Sequence, residues 1–178
     1  TEGGVPADVS LVMDYVPDSS RPTVTVGIID LETGQERELV IEDFHPQVQS
    51  TLNVRRPIGY VVPAELTDLI AVLERHGIEM ARVEATTPAT LEGYRIEAVA
   101  TATKEDKEFL DVAVTSSRAE SQIQAGDVIV LCSQPANNLI VTLLEPQSQW
   151  GLAPLPEFVS MLEAESEYPI KRIVALPG

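Results

Sequence analysis

The chain is poor in the side chains that most often do chemistry: one cysteine, two histidines, one tryptophan, and twelve basic residues against 28 acidic ones in 178 positions. A single thiol excludes an internal disulfide. Cys132 lies between Leu131 and Ser133 in an apolar run, which marks it as a packed side chain rather than a nucleophile. The shortage of bases leaves a formal charge of −16, spread along the chain, and such a surface repels phosphate backbones and anionic lipid headgroups, so no nucleic-acid partner is expected. No apolar stretch approaches the roughly 20 residues of a membrane-spanning helix, so no membrane span is expected. No basic segment followed by an apolar one opens the chain.

Motifs for catalysis are equally scarce. His76 to Glu79, "HGIE", has the H-x-x-E spacing of some zinc enzymes, but no histidine follows to complete a ligand set. His45 precedes Pro46 in a loop, and Gly77 is explained by the end of a helix. No G-x-S-x-G elbow, D-x-D-x-D-G calcium loop or glycine-rich phosphate loop is present. Acidic runs such as "EAESE" and "KEDKE" read as solvated surface.

What is present is the patterning of an α+β domain: a mixed, mostly antiparallel sheet with two or three helices packed on it. "VSLVMDYV" and "TVTVGIID" alternate as strands, and the second leads through "LETGQE" into "RELVIEDF" as a hairpin. Residues 44–53 are polar and unpatterned and read as a loop. "RRPIGYVV" is a short strand, followed by a helix with Pro63 and Glu65 in its first turn. Leu66, Leu69, Ile70 and Leu73 form its buried face, and Gly77 is its terminator. "IEMARVEA" returns as a strand.

Residues 91–133 read as β again, in three strands with a charged tip at "KEDKE" and a turn at Ala125 and Gly126. Between Pro135 and Pro146, Leu139, Ile140, Leu143 and Leu144 share one helical face, with a strand as the competing reading. Leu155, Phe158, Val159 and Leu162 repeat the helical spacing behind Pro156, and "IKRIVAL" closes the chain as a strand. One domain is expected over 1–178, with 1–53 as a possible N-terminal β-hairpin segment and 54–178 as the main unit.

Two stretches carry a resemblance. "RRPIGYVVPAELTDLIAVLERHGIEMARV" is similar to an R-P-x-G-Y-x-x-P, helix, L-x-x-H-G-I segment, and "AGDVIVLCSQPANNLIVTLLEPQSQWGL" to a G-D-x-x-V, Q-P, L-L-E-P-x-S segment. In this order they resemble the region after the catalytic domain of bacterial M14-type zinc carboxypeptidases. The resemblance covers roughly residues 55–175 and implies a non-catalytic accessory domain of a metallopeptidase, with the catalytic domain of the same polypeptide as its partner. It places the zinc and the catalytic glutamate in that other domain, so none of those positions maps onto this chain and no cofactor is expected in it. It also implies a secreted or periplasmic protein. An autonomous module for peptide or cell-wall glycan and, more distantly, a free-standing hydrolase are the competing expectations.

Four residues are singled out. Glu145 is an acid beside two core leucines and requires a solvent path or a donor such as Arg56 or Arg172, which is expected at a domain seam. Trp150, flanked by Gln149 and Gly151, is either an anchor for a partner or a packed edge residue.

Overall fold

In the computed structural model, which describes residues 7–42, 44–104 and 107–176, the chain is an α+β protein built mostly of antiparallel strands. It divides into two compact units. The smaller is Met13–Leu52, and the larger combines Asn53 onward with the described residues up to Val12. The described residues before Met13 thus belong with the larger unit rather than with the segment up to residue 52.

Strands β1 (Asp8–Val16) and β4 (Gln47–Arg55) pair with each other, and each passes from one unit into the other. Between them, β2 (Val24–Ile29) and β3 (Glu36–Ile41) form the expected hairpin, in register from Val24 opposite Ile41 to Ile29 opposite Glu36. Asp30 closes its turn: the Oδ1 atom accepts from the amides of Glu32 and Thr33 at 3.0 Å each. Gly34 takes the positive φ of 68° that an L side chain resists. The strand β4 corrects the loop expected over 44–53. Its alternation of Val48, Ser50, Leu52 and Val54 is masked by polar residues because most of the strand is exposed.

The larger unit carries a six-stranded sheet in the order β6-β9-β5-β10-β7-β8, formed by β5 (Gly59–Val62), β6 (Ala81–Arg82), β7 (Thr87–Lys104), β8 (Lys107–Ile123), β9 (Val128–Leu131) and β10 (Lys171–Ala175). The alternation expected over "IEMARVEA" yields only the two-residue β6, whereas the hairpin β7–β8 starts earlier than expected, at Thr87. Val61, Ala89, Leu91, Ile123 and Ile173 build one buried apolar cluster.

The helix α1 (Thr67–Arg75) buries Leu69, Ile70 and Leu73, as its spacing predicts, with Leu66 half-buried at the cap. Pro63 and Glu65 lie before it, where the Pro63 carbonyl accepts from the Leu66 amide at 3.1 Å. The acid in its first turn is Asp68. At its other end the Gly77 amide reaches the Glu74 carbonyl at 2.9 Å and the Ile78 amide reaches Leu73 at 3.2 Å, with Gly77 at φ 69°. This pair of bonds satisfies the last carbonyls of the helix.

Helix α2 (Asn137–Leu144) is the helical alternative for the run after Pro135. It buries Ile140, Val141, Leu143 and Leu144 and leaves Leu139 exposed, so its inner face is rotated from the expected one. The helix expected over Leu155–Leu162 is only a 3-10 turn, Val159–Leu162. Pro154 and Pro156 supply no amide to an α ladder, and the amides of Leu155, Phe158 and Met161 bond three residues back instead.

Candidate functional site

Antiparallel register sets the central polar feature. Tyr60 on β5 lies opposite Arg172 on β10, Arg172 opposite Glu92 on β7, and Glu92 opposite Arg118 on β8. Directly opposed residues share one face of a sheet, so four polar side chains form a row across four strands. Glu145, the residue just after α2, comes down on this row with 1% of its surface exposed.

Most of the row's polar groups pair with one another, although Arg172 Nε makes no hydrogen bond among the described residues. The Tyr60 hydroxyl donates to Glu145 Oε1 at 2.6 Å, and Arg172 Nε stands 3.3 Å from the same oxygen as an ion pair. The Nη1 atom of Arg172 donates to Glu92 Oε2 and, at 3.2 Å, to the Tyr94 hydroxyl, while its Nη2 donates to the Arg55 carbonyl. The guanidinium carbon also lies 5.9 Å from the Tyr94 ring centre, within cation–π range. Arg118 completes the set, donating from Nε to Glu92 Oε1 at 2.8 Å. Two carboxylates thus face two guanidiniums, and hydroxyls supply the rest.

Burial pushes the Glu145 carboxyl above the usual glutamate range, against the pull of Arg172 and the Tyr60 hydroxyl. Burial likewise raises the hydroxyls of Tyr60, Tyr94 and Tyr168, so all three stay protonated donors. The sign for stability follows: a carboxyl raised in the fold favours the fold most below the unfolded glutamate range, and that contribution is lost as pH rises through the raised value. Glu145→Gln keeps a neutral acceptor for Tyr60. Its stability relative to the parent chain is therefore expected to improve from pH 4 to pH 8, read from urea midpoints; a constant or worsening difference contradicts this.

Of the four residues singled out in the sequence, Glu145 and Arg172 meet in this row. Arg56 does not join them: its Nη2 donates to Asn138 Oδ1 at 2.6 Å. Trp150 stands elsewhere, 52% exposed, on the wall of a surface groove of about 760 Å³. Leu143, Leu152, Leu155 and Phe158 also line the groove, with Asp68, Arg75, His76 and Glu157 as its charged or ionisable lining. Tyr60 and Glu92 escaped sequence reasoning. Glu92 sits beside Leu91 in an alternating strand and reads as an outward acid, and only the neighbouring strands reveal that its face is covered.

The "HGIE" spacing is used for architecture. The His76 ring bonds through Nδ1 to the Val72 carbonyl at 2.9 Å, and the Glu79 backbone is clasped by the Gln134 side chain, at 2.8 Å to its amide and 3.0 Å to its carbonyl. Among the described residues no group of three or more His, Cys, Asp or Glu side chains is placed to hold a metal ion. The Cys132 thiol is pushed up to about 11, chiefly by burial. Native protein at pH 8 is expected to react with a disulfide reagent at least a hundredfold more slowly than urea-unfolded protein, since the thiolate is the reactive form; equal rates would show the thiol to be open.

Comparison with protein-family models, with curated proteins and with solved structures returned no match.

Proposed function

We propose that the chain is the non-catalytic C-terminal domain of a bacterial zinc carboxypeptidase, supporting its catalytic domain or shaping access to the cleft. One observation carries the reading. The two stretches that bear the resemblance are a single assembly in space, and their distinctive residues are consumed in holding it together. Tyr60 of the first bonds Glu145 of the second, Arg56 bonds Asn138, and Gln134 clasps Glu79. Gly59 lies so close to β9 that a Cβ there would stand 2.6 Å from the Val130 carbonyl oxygen. A pattern spent on internal bonds is what a supporting domain requires.

The coding sequence upstream of Thr1 tests the parentage. An H-x-x-E followed much later by a histidine, in the same reading frame, is the expected result; a frame that contains neither removes the proposal. On the same reading, the purified chain binds no stoichiometric zinc in a calorimetric titration and releases no C-terminal amino acid from peptides.

The groove beside Trp150 favours a second reading, a module that binds peptide or cell-wall glycan, because an exposed indole over an apolar trough is a common anchor for such ligands. Calorimetry with peptidoglycan fragments and with short peptides separates the two. Binding lost in Trp150→Ala supports the module.

A further inference from the structure

The sheet ends differently on its two sides. At one side the edge is β6, two residues long, a length that offers little to a passing strand. At the other it is β8, seventeen residues long, with no proline in it. The irregularity in the β7–β8 ladder falls between Ile96 and Ala98 on β7, so β8 itself runs unbroken.

Backbone direction along β8 can be fixed from its partner. On β7, the Tyr94 carbonyl accepts from the Tyr168 amide at 2.8 Å, and Ile96 exchanges bonds with Ser166 and Glu165 at 2.9 and 2.7 Å. Both residues therefore direct their backbone groups away from β8. In an antiparallel pair, the residues opposite such positions also point theirs outward. Those are Ser116 and Val114, and by the two-residue period Arg118 and Glu120 do the same. Val112 obeys the pattern, since its carbonyl is covered by the Gln147 side chain at 2.8 Å. From Val114 to Glu120, about 20 Å of strand, the outward amides and carbonyls bond to nothing among the described residues.

We propose that the free edge of β8 from Val114 to Glu120 is a strand-addition site for an extended, basic polypeptide segment. Main-chain hydrogen bonding supplies the affinity in this mode, and side chains of alternate residues supply the selection. Along one face of the edge, Thr115, Ser117 and Ala119 are small and exposed, and Ser121 is small and half-buried, which leaves room for bulky apolar side chains on the incoming strand. Along the strand, Asp111 and Glu120 are exposed acids, while the charge of Arg118 is committed to Glu92. A chain of formal charge −16 repels a second copy of itself and attracts a cationic segment.

The probe is a synthetic nonapeptide alternating valine with lysine and threonine, carrying three lysines, titrated into the intact chain and followed by amide hydrogen exchange. Exchange at Val114, Ser116, Arg118 and Glu120 should slow at least tenfold, while the inward amides of Thr115 and Ser117 stay as they are. The same peptide with glutamate in place of lysine should give no protection at equal concentration. Ser116→Pro removes an outward amide without taking a bond from β7 and should weaken binding at least tenfold at an unchanged unfolding midpoint. The wild-type exchange data and the acidic peptide decide the matter if that variant does not fold. No slowing at millimolar peptide, protection elsewhere, equal binding of the acidic peptide, or a sedimenting dimer with these amides already protected would each overturn the proposal.

Discussion

Replacing Arg172 by methionine is expected to destabilise the larger unit by about 3–5 kcal/mol, the usual cost of removing one partner from a buried ion pair. The loss falls on the acids left behind. Glu145 would keep only its hydroxyl donors, in a site that excludes water, and Glu92 would rest on Arg118 alone, whose side chain is 66% exposed. The Arg55 carbonyl and the Tyr94 hydroxyl would lose their donor too. Adding Glu145→Gln to Arg172→Met should recover part of the loss, because a neutral amide removes one stranded charge, and the two changes should couple by more than about 1 kcal/mol. Equilibrium urea unfolding of the single and double variants reads both effects. Additive changes would mean that Arg172 and Glu145 do not interact, and a mild single variant would mean that the row is wet.

The second large effect is at Gly59. A methyl group there would meet the Val130 carbonyl oxygen at 2.6 Å and the Leu131 Cα at 3.1 Å. Both are backbone atoms, which have no rotamer through which to escape. Strand β5 would have to move off β9, stretching the ladder from Gly59 opposite Leu131 to Val62 opposite Val128, and lifting Tyr60 off Glu145. Gly59→Ala is therefore expected to cost about 3 kcal/mol, the upper part of the range for overpacking. Gly27→Ala, where nothing lies within 4 Å of the added methyl, should change the unfolding midpoint little. Equal effects at the two glycines would refute the close approach of β5 and β9.

How far the sequence could be read depended on whether a signal was local. Gly77 ended α1 as expected because a left-handed residue, a flanking amphipathic helix and a following apolar residue all lie within a few positions. The β2–β3 hairpin was legible for the same reason, with its turn chemistry adjacent to the alternation. The 3-10 turn at Val159 was expected as a helix because Pro156 suits a helix start, while Pro154 just before it, which also supplies no amide, was not weighed. Strand β4 was missed because a ribbon exposed for most of its length lacks the apolar contrast that marks a strand.

The polar row shows the limit most clearly. Glu145 drew attention as an acid among leucines, and two arginines were open as partners on sequence alone. The structure places Arg172 on it and turns Arg56 to Asn138. That choice follows from the register of β10 between β5 and β7, where a slip of one residue would swing Arg172 to the opposite face.

By itself the sequence determined composition and short-range geometry: an acidic chain with one thiol and two imidazoles, an α+β pattern, and the places where glycine must turn the backbone. Tertiary structure alone decided which acids are buried, which arginine neutralises them and which strand is left at the edge. The physical reason is that those outcomes depend on pairing between residues some eighty positions apart, as Tyr60 and Glu145 are, and no neighbour in sequence carries that information.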